Sequence, residues 1–277
     1  MRIIVIADIH SNLAALRAVE HYILAEKPDV VVVAGDTINR GPRPRECLER
    51  VLEHVATSGW KIIRGNHEDY VIGEANADAG RPAWLQKVCR HSSWTYGRVA
   101  DLLPSVALWP EETHVTGPDG KPVRIFHAST QGNRVGMYPQ MSDAEMRPLV
   151  RDDASVFCVG HTHVPFVRHL GEQLVVNAGA VGMPFDRDIR ASLALLEWKG
   201  GTWHAKNVRI EYERERTERD FEETGYLAEG GPMVPLILDE FRNARPRLGE
   251  WHRTFERLVA ADHVTLEKSI EDILASP

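Results

Sequence analysis

Side chains that bind metal ions well recur along this chain in short clusters, each close behind an apolar run. The clusters are Asp8-Ile9-His10, Gly35-Asp36, Gly65-Asn66-His67-Glu68, His127 and Gly160-His161-Thr162-His163. Because open α/β sheets bind ligands outside the carboxyl ends of their strands, clusters distant in sequence can meet at one rim. Side chains at i and i+2 of a strand point the same way, so we expect Asp8 and His10 to share one ion, and His161 and His163 another.

The candidate ligands comprise two carboxylates, four imidazoles and one amide. They are Asp8, His10, Asp36, Asn66, His127, His161 and His163. This donor set suits two borderline divalent ions, with Mn preferred and Fe, Zn or Ni as alternatives, better than it suits Mg or Ca. A carboxylate bridging two ions would hold them roughly 3.5–4 Å apart, the spacing used for in-line displacement at phosphorus. The residual positive charge of such a centre attracts phosphate, so the sequence predicts a two-metal hydrolytic site.

Two further residues are expected to act on the substrate. His67 directly follows Asn66, and adjacent side chains do not easily serve one ion from a regular strand, so His67 is better placed as the general acid for the leaving oxygen. Arg40 offers a planar, permanently charged donor group for phosphate oxygens. A metal-bridging hydroxide forms near neutral pH, so no protein nucleophile is required.

The bulk composition limits the classes of function. The chain has 277 residues, 43% of them hydrophobic, and a net charge of −7, which predicts a substantial core and no general attraction to nucleic acid or anionic membranes. Cys47, Cys89 and Cys158 are odd in number and lack CxxC spacing, which favours a reducing compartment. The first apolar run is too short for a signal peptide, and no run is long enough to span a bilayer. We expect a cytoplasmic protein.

Hydrophobic periodicity predicts an α/β fold with two sheets. Strand-like runs at 2–7, 29–34 and 60–64 alternate with helical patterns over 12–26 and around 47–55, which indicates parallel strands joined by right-handed crossovers. Further strand character is separated by turns rather than full helices, which suggests a second, mixed or antiparallel sheet. These later runs are 104–109, 122–128, 155–160, 173–177, 191–198 and 202–210.

Two helical regions flank this pattern. The stretch 69–103 carries an apolar face that we expect to pack on the sheet, with an overhang above the site as the alternative. From about residue 213 charge density rises and helices follow, so we divide the chain into a catalytic domain, 1–212, and a helical appendage, 213–277. We expect the appendage to pack on the core; a cap or a homodimer contact is the alternative. The small residues of 177–182 fit either a plain turn or a role beside the site.

The ordered motif set resembles that of one known family. The motifs are Asp8-x-His10, Gly35-Asp36-(x)3-Arg40-Gly41, Gly65-Asn66-His67-Glu68, His127 and Gly160-His161-x-His163. They resemble those of the calcineurin-like metallophosphoesterase superfamily and cover residues 8 to 163. The resemblance implies a two-sheet β-sandwich flanked by helices, in which the strands up to about residue 210 take part.

The resemblance also implies a role for each motif residue. A first metal would be held by Asp8, His10, Asp36 and His163. A second would be held by Asp36, Asn66, His127 and His161, with Asp36 bridging. His67 would be the leaving-group acid and Arg40 a phosphate contact.

One position departs from part of the family. Serine/threonine protein phosphatases and symmetrical dinucleoside tetraphosphatases carry an aspartate, in an Asp-Arg-Gly motif, where this chain has Asn39. Asn39 can orient His67 but supplies no charge to stabilise its imidazolium form. Small bacterial and archaeal phosphodiesterases of the superfamily share asparagine here. The favoured function is therefore hydrolysis of small, nucleotide-like phosphoesters by a phosphodiesterase or phosphatase.

Two alternatives stay open. A protein phosphatase or dinucleoside tetraphosphatase is disfavoured by Asn39 but has the same metal ligands. A non-catalytic scaffold with this fold is the other; such scaffolds typically lose ligands or the acid histidine, whereas every position is present here.

Overall fold

The computed structural model describes residues 1–77 and 80–276. Within these ranges ten strands form two five-stranded sheets, with helices outside them and further helices near the C-terminus. This architecture confirms the predicted α/β two-sheet sandwich with a C-terminal helical extension. Asp78 and Ala79, which belong to the predicted helical stretch 69–103, and Pro277 lie outside the described residues.

The first sheet has the order β10-β9-β1-β2-β3. Strands β1 (Arg2–Ile6), β2 (Val30–Val33) and β3 (Lys61–Ile62) are parallel, as predicted from the alternation of strand and helix patterns. Strand β9 (Ala191–Lys199) runs antiparallel to both β1 and β10 (Thr202–Ile210). The turn between β9 and β10 is Gly200-Gly201, with φ of +59° and +82°, the left-handed geometry that two-residue hairpins need.

The second sheet has the order β4-β5-β6-β8-β7. Its strands are β4 (Glu112–Thr116), β5 (Pro122–Phe126), β6 (Val156–Val159), β7 (Phe166–Leu170) and β8 (Gln173–Asn177). The central strands β5, β6 and β8 are parallel, and the two edge strands are antiparallel to their neighbours. The carboxyl ends of the parallel strands therefore lie along one rim of this sheet.

Helices precede, connect and follow the strands. The first six are α1 (Leu13–Glu26), α2 (Pro44–Ser58), α3 (Asn66–Gly73), α4 (Ala83–Val99), α5 (Leu103–Val106) and α6 (Asp143–Met146). Those after β10 are α7 (Arg214–Glu223), α8 (Tyr226–Glu229), α9 (Val234–Asn243), α10 (Arg247–Thr254), α11 (Glu256–Ala260) and α12 (Leu266–Ala275). Asn12 caps α1, because its side chain accepts a hydrogen bond from the Ala15 amide at 3.1 Å.

Strand β1 is buried on both faces, and its alternation divides the core in two. Ile3 and Val5 belong to the cluster between the sheets, while Ile4 and Ile6 face the layer of α1 and α2. This follows from the period of two along a strand. A fully apolar strand is typical of a sheet covered on both sides.

The sequence predicts one strand that does not form and misses two strands that do. The run 104–109 forms α5 and a following turn, because Pro104 stands in the first turn of a helix, where its missing amide proton is no loss. Edge strands β4 and β7 were not predicted, because polar and charged residues occupy most of their positions. A strand at a sheet edge need bury only part of one face, so it lacks the continuous apolar signal of a central strand.

The C-terminal helices form their own apolar cluster against α4. Trp251, Tyr226 and Phe221 are almost fully buried there together with Val88 and Trp94 of α4. The division into domains at residue 212/213 stays a prediction. The helices after residue 213 pack against α4, which belongs to the predicted catalytic domain. No helix in residues 1–77 or 80–276 has both the length and the apolar character that a membrane crossing requires.

We predict that Trp251→Ala destabilises the protein by about 3–5 kcal/mol, because it removes a large buried side chain and its hydrogen bond to Ser269 Oγ (2.7 Å). Urea denaturation followed by circular dichroism measures this loss. Leu274→Ala, at a side chain 39% exposed, is the control and should change the unfolding free energy by less than about 1 kcal/mol. An unchanged midpoint in Trp251→Ala would contradict this packing.

Candidate metal centre and pocket

The predicted ligand clusters all lie just beyond strand ends. Asp8 follows β1, Asp36 follows β2, His127 follows β5 and His161 follows β6. Asn66 is instead the first residue of α3, so the segment predicted as a strand end turns directly into a helix. The sequence predicted a meeting at one rim, and the structure brings the rims of both sheets together at one site.

Most ligand residues have a left-handed backbone. Asp8, His10, Asp36, His161 and His163 have φ between +45° and +65°. This region costs non-glycine residues energy and is concentrated at functional sites. It also overturns one expectation: because His161 and His163 are not in a regular strand, the i and i+2 rule does not apply, and their imidazoles belong to different groups.

The ligand atoms form two groups that share one carboxylate. Within each group, the atoms lie within 4.8 Å of one another: Asp8, His10, Asp36 and His163 form one, and Asp36, His127 and His161 the other. Asn66 joins the second group, since its Oδ1 lies 3.0 Å from His127 Nε2. All seven predicted ligands therefore meet at one place; that they hold two ions stays a prediction.

Three imidazoles are oriented by main-chain carbonyl oxygens. Nδ1 of His127 donates to Ala34 O at 2.8 Å, Nδ1 of His163 donates to Met183 O at 2.6 Å, and Nδ1 of His10 lies 3.3 Å from Asn39 O. A carbonyl only accepts, so each Nδ1 carries a proton and each Nε2 faces the cluster, where it can bind a cation when it is deprotonated. Nε2 of His10 and Nε2 of His163 are 3.1 Å apart, an arrangement that a cation between them would stabilise.

The two aspartates are each satisfied on one oxygen. Asp8 Oδ2 accepts from the His161 amide at 2.9 Å, and Asp36 Oδ1 accepts from the His67 amide at 2.8 Å. Asp8 Oδ1 and Asp36 Oδ2 are buried without a hydrogen-bond partner in the described part of the chain. These two oxygens face the imidazoles of His163 (3.2 Å) and His127 (3.3 Å), so the donor set fits divalent cations.

Protonation in the cluster is linked to its charges. Burial alone would raise the pKa of Asp36, but His127 outweighs it and the pKa lies below its usual value. Burial would lower the pKa of His127, yet Asp36 raises it to about 10. In the metal-free protein this imidazole therefore keeps a proton that a metal ion would have to displace.

Glu68 fixes the geometry of the loop that carries Asp36. Its buried carboxylate accepts hydrogen bonds from the amides of Asp36 (2.9 Å), Thr37 (2.7 Å), Ile38 (3.2 Å) and Gly65 (2.8 Å). Burial, and next the charge of Asp36, raise the pKa of Glu68 to about 7. The sequence motif included Glu68 without giving it a role. Its spacing of three from Gly65 is the available signal, since a glutamate at that helix position often accepts from the N-cap amide.

Asn39 determines which nitrogen of His67 carries the proton. Asn39 Oδ1 accepts from the Arg40 amide at 3.0 Å, which turns Nδ2 towards His67 Nδ1 (3.0 Å) and Ser92 Oγ (2.9 Å). His67 Nδ1 must then accept, so a neutral ring carries its proton on Nε2. Burial, and next the charge of Arg40, hold the pKa of His67 well below its usual value. No pattern in the sequence predicts this contact with Ser92, a residue of α4.

Several residues of the site line a pocket of about 370 Å³. They are Asp36, Arg40, Asn66, His67, His161 and His163. Its apolar lining comes from α4, the segment before β9 and α10, with Leu85, Val88, Phe185 and Leu248, and His252 of α10 also borders it. Helix α4 thus overhangs the site, while Tyr96 and Val99 near its end pack on the sheet-side cluster. The predicted packing on the sheet therefore holds for the end of α4, and the alternative, an overhang above the site, describes its beginning.

The small residues after β8 support the strand ends. Val181 N donates to Ala7 O at 2.9 Å and Gly182 N to Asp8 O at 3.0 Å. A Cβ at Gly182 would lie 1.8 Å from Ile9 O. This segment therefore braces the backbone on both sides of Asp8, which is a role beside the site rather than a plain turn.

Comparison with known proteins adds the family to this geometry. A model of the calcineurin-like phosphoesterase superfamily domain matches residues 1–201. The chain belongs to the calcineurin-like phosphoesterase superfamily. An uncharacterized protein of Methanocaldococcus jannaschii is 29% identical over 236 residues, which is 76% of this chain and 88% of that protein.

Two solved structures show the same fold. A metallophosphoesterase from Sphaerobacter thermophilus is 27% identical with a TM-score of 0.66, covering 88% of this chain and 100% of that one. A hypothetical protein from Pyrococcus horikoshii is 21% identical with a TM-score of 0.70, covering 84% and 97%. The superfamily depends on divalent metals, and the buried Asp/His cluster matches that requirement. Its domain model ends at residue 201, before the helices that supply part of the pocket.

We predict that Gly65→Ala weakens Mn²⁺ binding at least tenfold, because a Cβ there would lie 2.1 Å from Asp36 Oδ1 and displace the shared carboxylate. Calorimetric titration of the metal-free protein measures the affinity. Gly73→Ala is the control: at the end of α3, a Cβ there meets no described atom within 4 Å. Equal Mn²⁺ affinity in both variants would show that Asp36 does not need its present position.

Proposed function

We propose that this superfamily member is a divalent-metal-dependent hydrolase of small organic phosphoesters, acting as a phosphodiesterase or phosphatase on nucleotide-like substrates. The observation that carries the proposal is the shared-carboxylate cluster, part of which lines a pocket of about 370 Å³. A pocket of this size suits a small molecule. Mn²⁺ is the proposed metal, because mixed imidazole and carboxylate donors suit borderline divalent ions.

Two ions in this cluster would supply a water ionised near neutral pH and would withdraw charge from the phosphoryl oxygens. Asp8, His10 and His163 are placed to hold one ion, and His127, His161 and Asn66 the other. Asp36 lies between the groups and is placed to contact both. The hydrogen bonds that fix Asp36 and three imidazoles keep these donors in place before substrate arrives.

Arg40 and His67 are proposed to act on the substrate itself. The Arg40 guanidinium makes no hydrogen bond within the described residues, so its donors are available to phosphoryl oxygens. His67 is held through Nδ1, and its opposite nitrogen, Nε2, carries the hydrogen that can reach a leaving oxygen. Because Asn39 adds no negative charge, His67 acts as a neutral donor. Substrates whose leaving oxygen needs little protonation are favoured.

The apolar side of the pocket supports an organic substituent on the phosphate. Leu85, Val88, Phe185 and Leu248 offer contact to a flat or aliphatic group while the phosphate lies towards Arg40. The overhang of α4 and the position of α10 leave little room for an extended polypeptide. This disfavours a phosphoprotein substrate independently of Asn39.

We predict that Asp36→Asn lowers kcat/KM for bis(p-nitrophenyl) phosphate with Mn²⁺ by roughly 10²–10³-fold, because it removes the charge that both ligand groups share. Chelation of metal from the wild-type protein should abolish turnover, and Mn²⁺ should restore it. The control is Asp101→Asn, which neutralises an exposed carboxylate paired with Arg45 and should leave the rate unchanged. Turnover in Asp36→Asn equal to wild type would refute the proposed centre.

We predict that small esters are hydrolysed far better than phosphopeptides. With Mn²⁺ present, kcat/KM for nitrophenyl phosphoesters, cyclic nucleotides or dinucleoside polyphosphates should exceed that for a phosphoserine peptide by about a hundredfold, because a pocket of about 370 Å³ suits a small molecule better than a peptide backbone. Phosphate release and nitrophenol absorbance give the rates. Faster release from the peptide than from any small ester would favour a protein phosphatase.

A further inference from the structure

Glu240, on α9, lies beside Arg40 although the two are far apart in sequence. Glu240 Oε2 is 3.9 Å from Arg40 Nη1, and the side chains are 0% and 17% exposed. Glu240 belongs to the C-terminal helices, which follow the part of the chain that the superfamily model matches. This carboxylate is therefore contributed from outside the segment that the superfamily model matches.

Both partners have buried atoms that lack hydrogen bonds. Within the described residues, Arg40 Nε and Glu240 Oε2 are buried without a partner, as is the hydroxyl of Tyr226 on α8. A buried carboxylate and a guanidinium stripped of water each lose several kcal/mol of solvation, roughly, unless an opposite charge compensates. Each of these two charges is thus the available compensation for the other.

The rest of the Glu240 side chain is anchored. Its Oε1 accepts from the Leu248 amide at 2.8 Å, in the first turn of α10, so one oxygen is fixed and the other is directed to Arg40. Arg40 itself has a left-handed backbone, with φ of +60°, and makes no other ion pair among the described residues. Glu240 is consequently the group that restrains the guanidinium without occupying the donors that face the pocket.

We propose that Glu240 is a positioning residue for Arg40, and that the C-terminal helices are thereby a working part of the phosphate-binding site. The proposal rests on the proposed function of Arg40 as a phosphate contact. Leu248 and His252 of α10 line the same pocket, so the helix that Glu240 anchors also borders the substrate. This assigns part of the C-terminal segment to the active site. From the sequence, packing on the core was the expected role of this segment, and a cap or a homodimer contact was the alternative.

The test is a double-mutant cycle. Glu240→Gln keeps the acceptor for the Leu248 amide but removes the charge, and should raise KM for bis(p-nitrophenyl) phosphate about tenfold with kcat changed less than twofold. In an Arg40→Ala background the same substitution should change neither parameter by more than about twofold. The assays are run at about pH 8, because the Glu240 carboxylate must be ionised. Burial raises the pKa of Glu240 to about 7, although the charge of Arg40 acts to lower it.

The matched control is Asp239→Asn, which removes the neighbouring carboxylate of α9 and its ion pair with Arg247 (2.7 Å). It should leave KM unchanged. Glu240→Asp, which retains the charge but shortens the side chain, carries the same cycle if Glu240→Gln does not fold. An unchanged KM in Glu240→Gln, or an equal loss with and without Arg40, would overturn the proposal.

A second readout separates this proposal from the proposed function. Inorganic phosphate binding to the Mn²⁺-loaded protein, measured by calorimetry, should weaken about tenfold in Glu240→Gln, and Glu240→Gln should cause no further weakening once Arg40 is alanine. If no ester is hydrolysed but phosphate binding follows this pattern, the proposed function fails and the role of Glu240 stands. If esters are hydrolysed and phosphate binds equally tightly to the wild-type and Glu240→Gln proteins, the proposed function stands and the role of Glu240 fails.

Discussion

The hydrogen bonds from four main-chain amides to Glu68 are the constraint on which the site depends. They join the loop after β2 to the start of α3, the two segments that carry Asp36, Asn66 and His67. Several ligands have left-handed backbones that are unfavourable in isolation, so the surrounding structure must impose them. Glu68 does this for the Asp36 loop by satisfying donors that burial would otherwise leave unpaired. Without that carboxylate, the amides of Asp36, Thr37 and Ile38 would lose their acceptor in the loop that carries the shared ligand.

The sequence predicted the features that depend on local periodicity and on residue type. The apolar alternation along β1 and β2, with helical patterns between them, identified the parallel half of the first sheet. The recurrence of aspartate and histidine after apolar runs pointed to seven residues whose side chains meet at one place, although their binding of ions stays a prediction. Edge strands β4 and β7 were not predicted, because they are only partly buried and lack a continuous apolar pattern. The pairing of His161 with His163 failed because left-handed residues do not follow strand geometry.

The residues that line the pocket from the C-terminal helices could not be predicted from local sequence patterns. Leu248 and Glu240 face the site only because the C-terminal helices pack against α4, and no spacing rule links position 240 to position 40. Such contacts depend on which helix faces match in three dimensions. The same holds for Ser92, whose hydroxyl accepts from Asn39 across a separation of 53 residues. The catalytic chemistry is therefore encoded close to the strand ends, whereas the shape around the substrate is encoded by distant helices.

The carbonyl groups that orient His10, His127 and His163 belong to Asn39, Ala34 and Met183. A carbonyl oxygen is present whatever side chain a residue carries, so these three anchors cannot be deleted by a point substitution at their own positions. Homologues can therefore exchange those three side chains without losing the imidazole orientation. Genetic drift should instead damage this centre through its ligands or through glycines such as Gly65 and Gly182. The walls supplied by α4 and the C-terminal helices are under no such restriction, which lets substrate preference diverge while the centre is inherited unchanged.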